Sequence, residues 1–273
     1  MEGLHTMKRG FSRLCGMVVL AIWAGATAVA GVPGSTAEAI DAAGMQRARA
    51  FKLLKYYVQI QSKHRYGQPE KSLQTITRRY EETQKDLRQF AHDPALVAAL
   101  DAVDAHWSDY KKRLSQPCDP QQVNDLLMQS IQQKMLSNRV VTLMTKEAKA
   151  ANGEEINRAG LLRATSQKIA LLYLIKAWQG NQTTPQVRPE MDKAMEHFKA
   201  SLDFLLASKQ TSDAMKSILK RLQKTYLYFT IMNDSDVFTP ALVLKKTDAM
   251  LRDAVTLVKG YVEAAKPNPK ESK

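Results

Sequence analysis

Residues 40–58, IDAAGMQRARAFKLLKYYV, lie over residues 156–174, INRAGLLRATSQKIALLYL, when the chain is slid against itself by 116 positions. Ile40/Ile156, Ala43/Ala159, Gly44/Gly160, Arg47/Arg163, Ala48/Ala164, Lys52/Lys168 and Tyr57/Tyr173 coincide, seven identities in nineteen. Average composition gives about one. Weaker matches follow downstream. Leu100, Val103, Trp107 and Tyr110 lie over Leu219, Leu222, Tyr226 and Phe229, and Met135, Leu136 and Val140 lie over Met250, Leu251 and Val255. The small changes of offset are what loop insertions between helices produce, so the chain is an internal repeat.

Each copy reads as four helices, roughly 36–61, 70–90, 94–114 and 120–150 in the first and 153–180, 189–208, 212–232 and 240–265 in the second. Turn chemistry separates them: Tyr66-Gly67-Gln68-Pro69, His92-Asp93-Pro94, Gln116-Pro117, Gly180-Asn181-Gln182 and Asn233-Asp234-Ser235-Asp236. Asp93 and Ser212 are natural N-caps. No segment alternates with period two. The expected fold is all-α, two tandem four-helix up-down bundles over residues 31–150 and 151–266, each long enough for its own core. The tail 267–273 is polar and proline-containing and is expected to be disordered. Between the copies, Ala150-Ala151 favours one continuous helix and Asn152-Gly153 favours a break; the sequence allows both.

Residues 1–30 read as a signal peptide. Lys8, Arg9 and Arg13 precede an apolar run from Leu14 to Ala26, and Ala28-Val29-Ala30 offers a small-x-small cleavage site. The run is short for a membrane span of about 20 residues, although an uncleaved anchor is the alternative. The expectation is a periplasmic protein beginning near Gly31, with no transmembrane helix after cleavage. The formal net charge is +13, to which residues 1–30 contribute +2. The basic residues are scattered and the chain is read as exported, which argues against nucleic acid and leaves a preference for anionic ligands, partners or surfaces. After cleavage Cys118 is the one cysteine, either incidental or available for an intermolecular bridge.

The helix 156–174 poses a problem. Gly160 costs about 1 kcal/mol relative to alanine inside a helix, and Arg163 stands on the line drawn by Ile156, Gly160, Ala170 and Leu174. In one reading the glycine allows close packing, while the arginine snorkels to water or meets an acidic neighbour such as Glu154, Glu155, Glu38 or Asp41. In the other, the gap lets something approach the backbone, and the guanidinium supplies a planar donor fork for a small oxyanion or carboxylate. That the pair recurs in two copies otherwise far diverged favours the second.

At these residues both segments resemble the signature of the type IV pili methyl-accepting chemotaxis transducer N-terminal domain, which runs approximately Ile-Asn-x-Ala-Gly-Arg-Gln-Arg-Met-Leu-Ser-Gln-Arg. The same helix is similar to the ligand-binding segment of bacterial nitrate/nitrite sensor kinases. The resemblance implies a periplasmic four-helix sensor module in which two first helices face each other across a dimer interface, with the anion between them. It places ligand contacts on Gly44, Arg47, Gly160 and Arg163, and on Ser166, which belongs to the Ser166-Gln167 pair that copy two retains. Copy one has Ala50-Phe51 there, and Met45 and Leu161 stand where the family has arginine, so the better-matched site falls on copy two. A membrane helix and signalling domains are missing from the pattern, which implies a separate membrane sensor or chemoreceptor partner.

Other chemistries are thin. His64, His92, His106 and His197 lack metal-ligand spacing, and no phosphate loop or nucleophile–base arrangement occurs. Trp107, Tyr110, Tyr226 and Phe229 read as core. No metal, cofactor or enzymatic activity is expected. The function expected is binding of a small anion (nitrate, nitrite or a carboxylate), and the alternative is a structural helical bundle assisting a pilus or chemoreceptor assembly. If Arg47 and Arg163 face each other unpaired, their repulsion predicts that Arg163→Ala costs the free protein nothing.

Overall fold

The structure is a computed structural model; it describes residues 31–266 except 65, 149–151, 181–182, 184 and 234–237. The signal peptide and the tail 267–273 lie outside the described residues, as does most of the 233–236 turn. Among the described residues eight helices follow one another: α1 Thr36–Gln61, α2 Pro69–Phe90, α3 Pro94–Leu114, α4 Val123–Ala148, α5 Gly153–Gln179, α6 Val187–Ala207, α7 Asp213–Asn233 and α8 Pro240–Ala264. No strand occurs among the described residues.

The starts and stops have local causes. Ser35 accepts a bond from the Glu38 N–H at 3.2 Å to open α1, and Asp93 accepts from Ala95 and Leu96 to open α3. Proline occupies the first turn of α2, α3 and α8, where its missing N–H has no helical partner to lose. Gly67, with φ of 70°, turns the chain into α2. Asn152 decides the junction between the copies. It adopts φ 63° and ψ 15°, the left-handed region that asparagine tolerates, and α5 starts at the next residue. The chain breaks there.

Packing follows the repeat. α1 lies against α2 and α4, and α3 against both of these; α5 lies against α6 and α8, and α7 against both of these. The heaviest contact of all joins the two sets, between α1 and α5. A stripe was expected on α5, yet every residue from 162 to 175 is buried. A helix covered on all sides has neighbours on all sides, and here they are α1, α4, α6 and α8. The buried apolar residues accordingly form one cluster running from Ile40, Leu54 and Tyr110 into Leu172, Phe198 and Leu257. At about 1.5–3 kcal/mol per fully buried large apolar side chain, the inner faces of α1 and α5 make the two sets interdependent.

Polar side chains fix the rotation of α1. Gln46 Nε2 donates to the Tyr80 carbonyl at 2.8 Å and Arg49 to Thr83 at 2.7 Å, both on α2. Tyr110 on α3 donates to the Ala50 carbonyl at 3.0 Å. Together these aim Arg47 at α5.

Candidate functional site

α1 and α5 meet where each lacks a side chain. At Gly44 a methyl group would lie 3.2 Å from Nη2 of both Arg47 and Arg163; at Gly160 it would lie 2.6 Å from Nη2 of Arg47. The gap and the charge belong together. Each glycine bares a turn of backbone, and the arginine of the other copy fills it. Arg163 Nη1 donates to Asp41 Oδ1 at 2.5 Å and its Nη2 to the Asp41 carbonyl at 3.3 Å. Arg47 does the same in reverse: Nη1 donates to Asn157 Oδ1 at 2.7 Å and Nη2 to the Asn157 carbonyl at 3.2 Å. Asp41 and Asn157 are themselves equivalent positions of the repeat. Arg47 Nη1 also reaches Asn138 Oδ1 of α4 at 2.8 Å.

Neither arginine snorkels. Arg47 is 0% and Arg163 1% exposed, so both are all but closed to bulk water. Among the described residues, one carboxylate serves the two guanidiniums, Asp41 on Arg163. Arg47 has amides and carbonyls only. Burial, followed by the nearby Arg163 charge, holds Arg47 down at about 9, with Glu154 and Asp41 partly opposing. It stays protonated at neutral pH, as a charge without its counterion. The Nε of each arginine is buried with no acceptor, an omission that ordinarily costs about 1–3 kcal/mol per group.

The asymmetry extends one turn further. Lys168 pairs with Glu190 of α6 at 2.5 Å. Its repeat equivalent Lys52 rests on the Tyr56 ring at 5.6 Å and has no carboxylate partner among the described residues. Burial first, then Lys55, push Lys52 down to about 8. Lys55 beside it is buried and takes Asp248 of α8 at 2.9 Å. On α4, Lys134 is also held at about 8, by burial and then by Arg47 and Lys168. Positive charge therefore exceeds negative along this seam.

Four of the five residues singled out from sequence, Gly44, Arg47, Gly160 and Arg163, converge here. Ser166 does not join them: its hydroxyl donates to the Arg163 carbonyl at 2.8 Å, within its own helix. The Arg163→Ala expectation also changes hands, because Arg163 has its carboxylate in Asp41 and Arg47 has none. Copy two, the better-matched copy, holds the occupied arginine. Asn138 and Asn157 were missed as partners; the signal for Asn157 was its repeat equivalence to Asp41, three residues before each glycine. Elsewhere, His106 Nδ1 is bonded to Gln133, and no three of His, Cys, Asp or Glu converge among the described residues. Cys118 is partly buried and its thiol is shifted up by burial. No helix among the described residues is long and apolar enough to cross a membrane.

Compared with known families, with curated proteins and with solved structures, the chain matches none.

Proposed function

We propose that this chain is a non-catalytic, sensor-type anion-binding protein, built as two tandem four-helix up-down bundles, residues 31–150 and 151–266. It takes a small oxyanion, nitrate, nitrite or a carboxylate, at the α1–α5 seam and reports through a separate membrane partner. The observation that carries this reading is the charge count at the seam. Of two buried guanidiniums only Arg163 has a carboxylate, and burying a charge without a partner is costly. Guanidinium offers planar donors and no proton-accepting atom at neutral pH, which suits holding an anion rather than transforming one. The resemblance of both first helices to the chemotaxis transducer and nitrate-sensor signatures supports the same reading, and the signal-peptide pattern of residues 1–30 supports a periplasmic location for it.

A second reading has its own support. Closure of the seam to water and the Arg163–Asp41 pair favour a ligand-free clasp in a structural bundle that assists a larger assembly. Thermal-shift and calorimetric titration of the protein with nitrate, nitrite and acetate separates the two. Anion at a hundred times its dissociation constant should add about 2.7 kcal/mol of stability, and Arg47→Ala should remove that gain. A clasp alone gives no anion response.

A further inference from the structure

Resting on that anion-binding reading, the geometry assigns the ligand to Arg47 alone: we infer that one monovalent anion takes the place of the Asn157 side chain, as the Asp41 carboxylate does on Arg163. The template is inside the molecule. Positions 41 and 157 are repeat equivalents, and each presents a side-chain oxygen and its own carbonyl to the arginine of the other copy. One of the two is a carboxylate and the other its neutral isostere. Arg163 is thus already occupied by an acid of the chain itself. Arg47 holds the same fork, on the same bare turn of helix, against an amide.

Access fits this assignment. The guanidinium is closed to water, but Asn157 is only partly buried. An outward rotation of that side chain would free the Nη1 hydrogen that Asn157 now holds for an incoming oxygen. Asn138 Oδ1 shares that Nη1 at 2.8 Å and keeps the guanidinium in place. The charge deficit between the two guanidiniums and Asp41 is one unit, so a monoanion balances it. A dianion would lose far more hydration on entering a closed site. Nitrate and small carboxylates have the required planarity and charge; sulfate does not.

Two substitutions and their combination test this, each changing an amide for an acid or the reverse, with circular dichroism confirming the fold. Asn157→Asp supplies the missing carboxylate. It should raise the melting temperature of the free protein by roughly 3 °C or more and abolish the response to sodium nitrate and sodium acetate. Asp41→Asn empties the second fork; it should melt lower without anion and gain more from nitrate than wild type does. The exchange Asp41→Asn with Asn157→Asp should restore a single nitrate response, now dependent on Arg163. Sodium sulfate at matched ionic strength should shift none of them beyond the general effect of salt. A wild-type nitrate response that survives Asn157→Asp overturns this inference and leaves the binding reading intact. Silence of both wild type and Asp41→Asn toward nitrate and acetate overturns both.

Discussion

The first helices of the two repeats carry the same arginine and the same lysine, and they solvate them differently. On α5, Arg163 has Asp41 and Lys168 has Glu190. On α1, Arg47 has two asparagines and Lys52 an aromatic ring. Every carboxylate in this comparison lies outside the matching residues, on positions that drifted. Identical residues fix where the charges sit. Their neighbours decide what those charges are worth.

The sharpest way to break the comparison is to separate the helices. Chains comprising residues 31–148 and 153–266 would each expose one face of the shared cluster. Neither half alone should show a cooperative thermal transition, and mixing them should restore one; two independently cooperative halves would mean two separate cores. Next come the arginines themselves. Arg163→Ala strands the Asp41 carboxylate and should cost about 3 kcal/mol in denaturant unfolding, the lower end for broken buried pairs because Asp41 is 30% exposed. Arg47→Met removes a charge that has no counterion, and should leave the free protein within about 1 kcal/mol of wild type or more stable. Equal losses at both positions would erase the distinction.

The glycines should differ more modestly. Gly160→Ala brings a methyl within 2.6 Å of Arg47 Nη2 and displaces it from the Asn157 carbonyl. That loss outweighs the helix-propensity gain of about 1 kcal/mol and leaves a net cost of roughly 1 kcal/mol. At Gly44 the nearest contacts are 3.2 Å and the two effects should cancel.

The smallest expected effect is on pH dependence. Lys52 and Lys134 have folded values of about 8 against an ordinary 10.5. Below pH 8 both states are protonated and folding bears the full cost of two crowded ammonium groups. Between 8 and 10.5 the unfolded chain binds more protons, so stability rises with pH. Above about pH 10 the sign reverses: Tyr56 and Tyr80, held up at about 12 chiefly by burial, keep protons that the unfolded chain gives up. Arg47 and Arg49, held down at about 9 and about 10 chiefly by burial, oppose that fall, so melting temperatures should climb from pH 7 to about 10 and then level off. Lys52→Met and Lys134→Met should flatten the rising limb.

The helices were legible because their limits are chemical: Thr36, Pro94 and Pro240 start helices at the positions their caps and prolines dictate. The junction was ambiguous because Ala150 and Ala151 pull one way and Asn152 the other, and only the left-handed backbone at Asn152 decides between them. The Gly-Arg pair was visible as a motif, but its meaning was not. A repeat shows which residues correspond, whereas the Arg163–Asp41 pair joins residues 122 positions apart whose contact depends on how α1 crosses α5. Nothing in local spacing announces Asn138 either, since it arrives on a third helix.

The adjacency of α1 and α5 on a single polypeptide has one last consequence. Two identical subunits related by a twofold axis must write the same residue twice, so a facing pair of arginines would receive two aspartates or none. Joining the copies end to end lifts that constraint: position 41 became or stayed acidic while position 157 did not. A half-filled arrangement, one fork closed and one left for exchange, is open to a duplicated chain and closed to a symmetric pair.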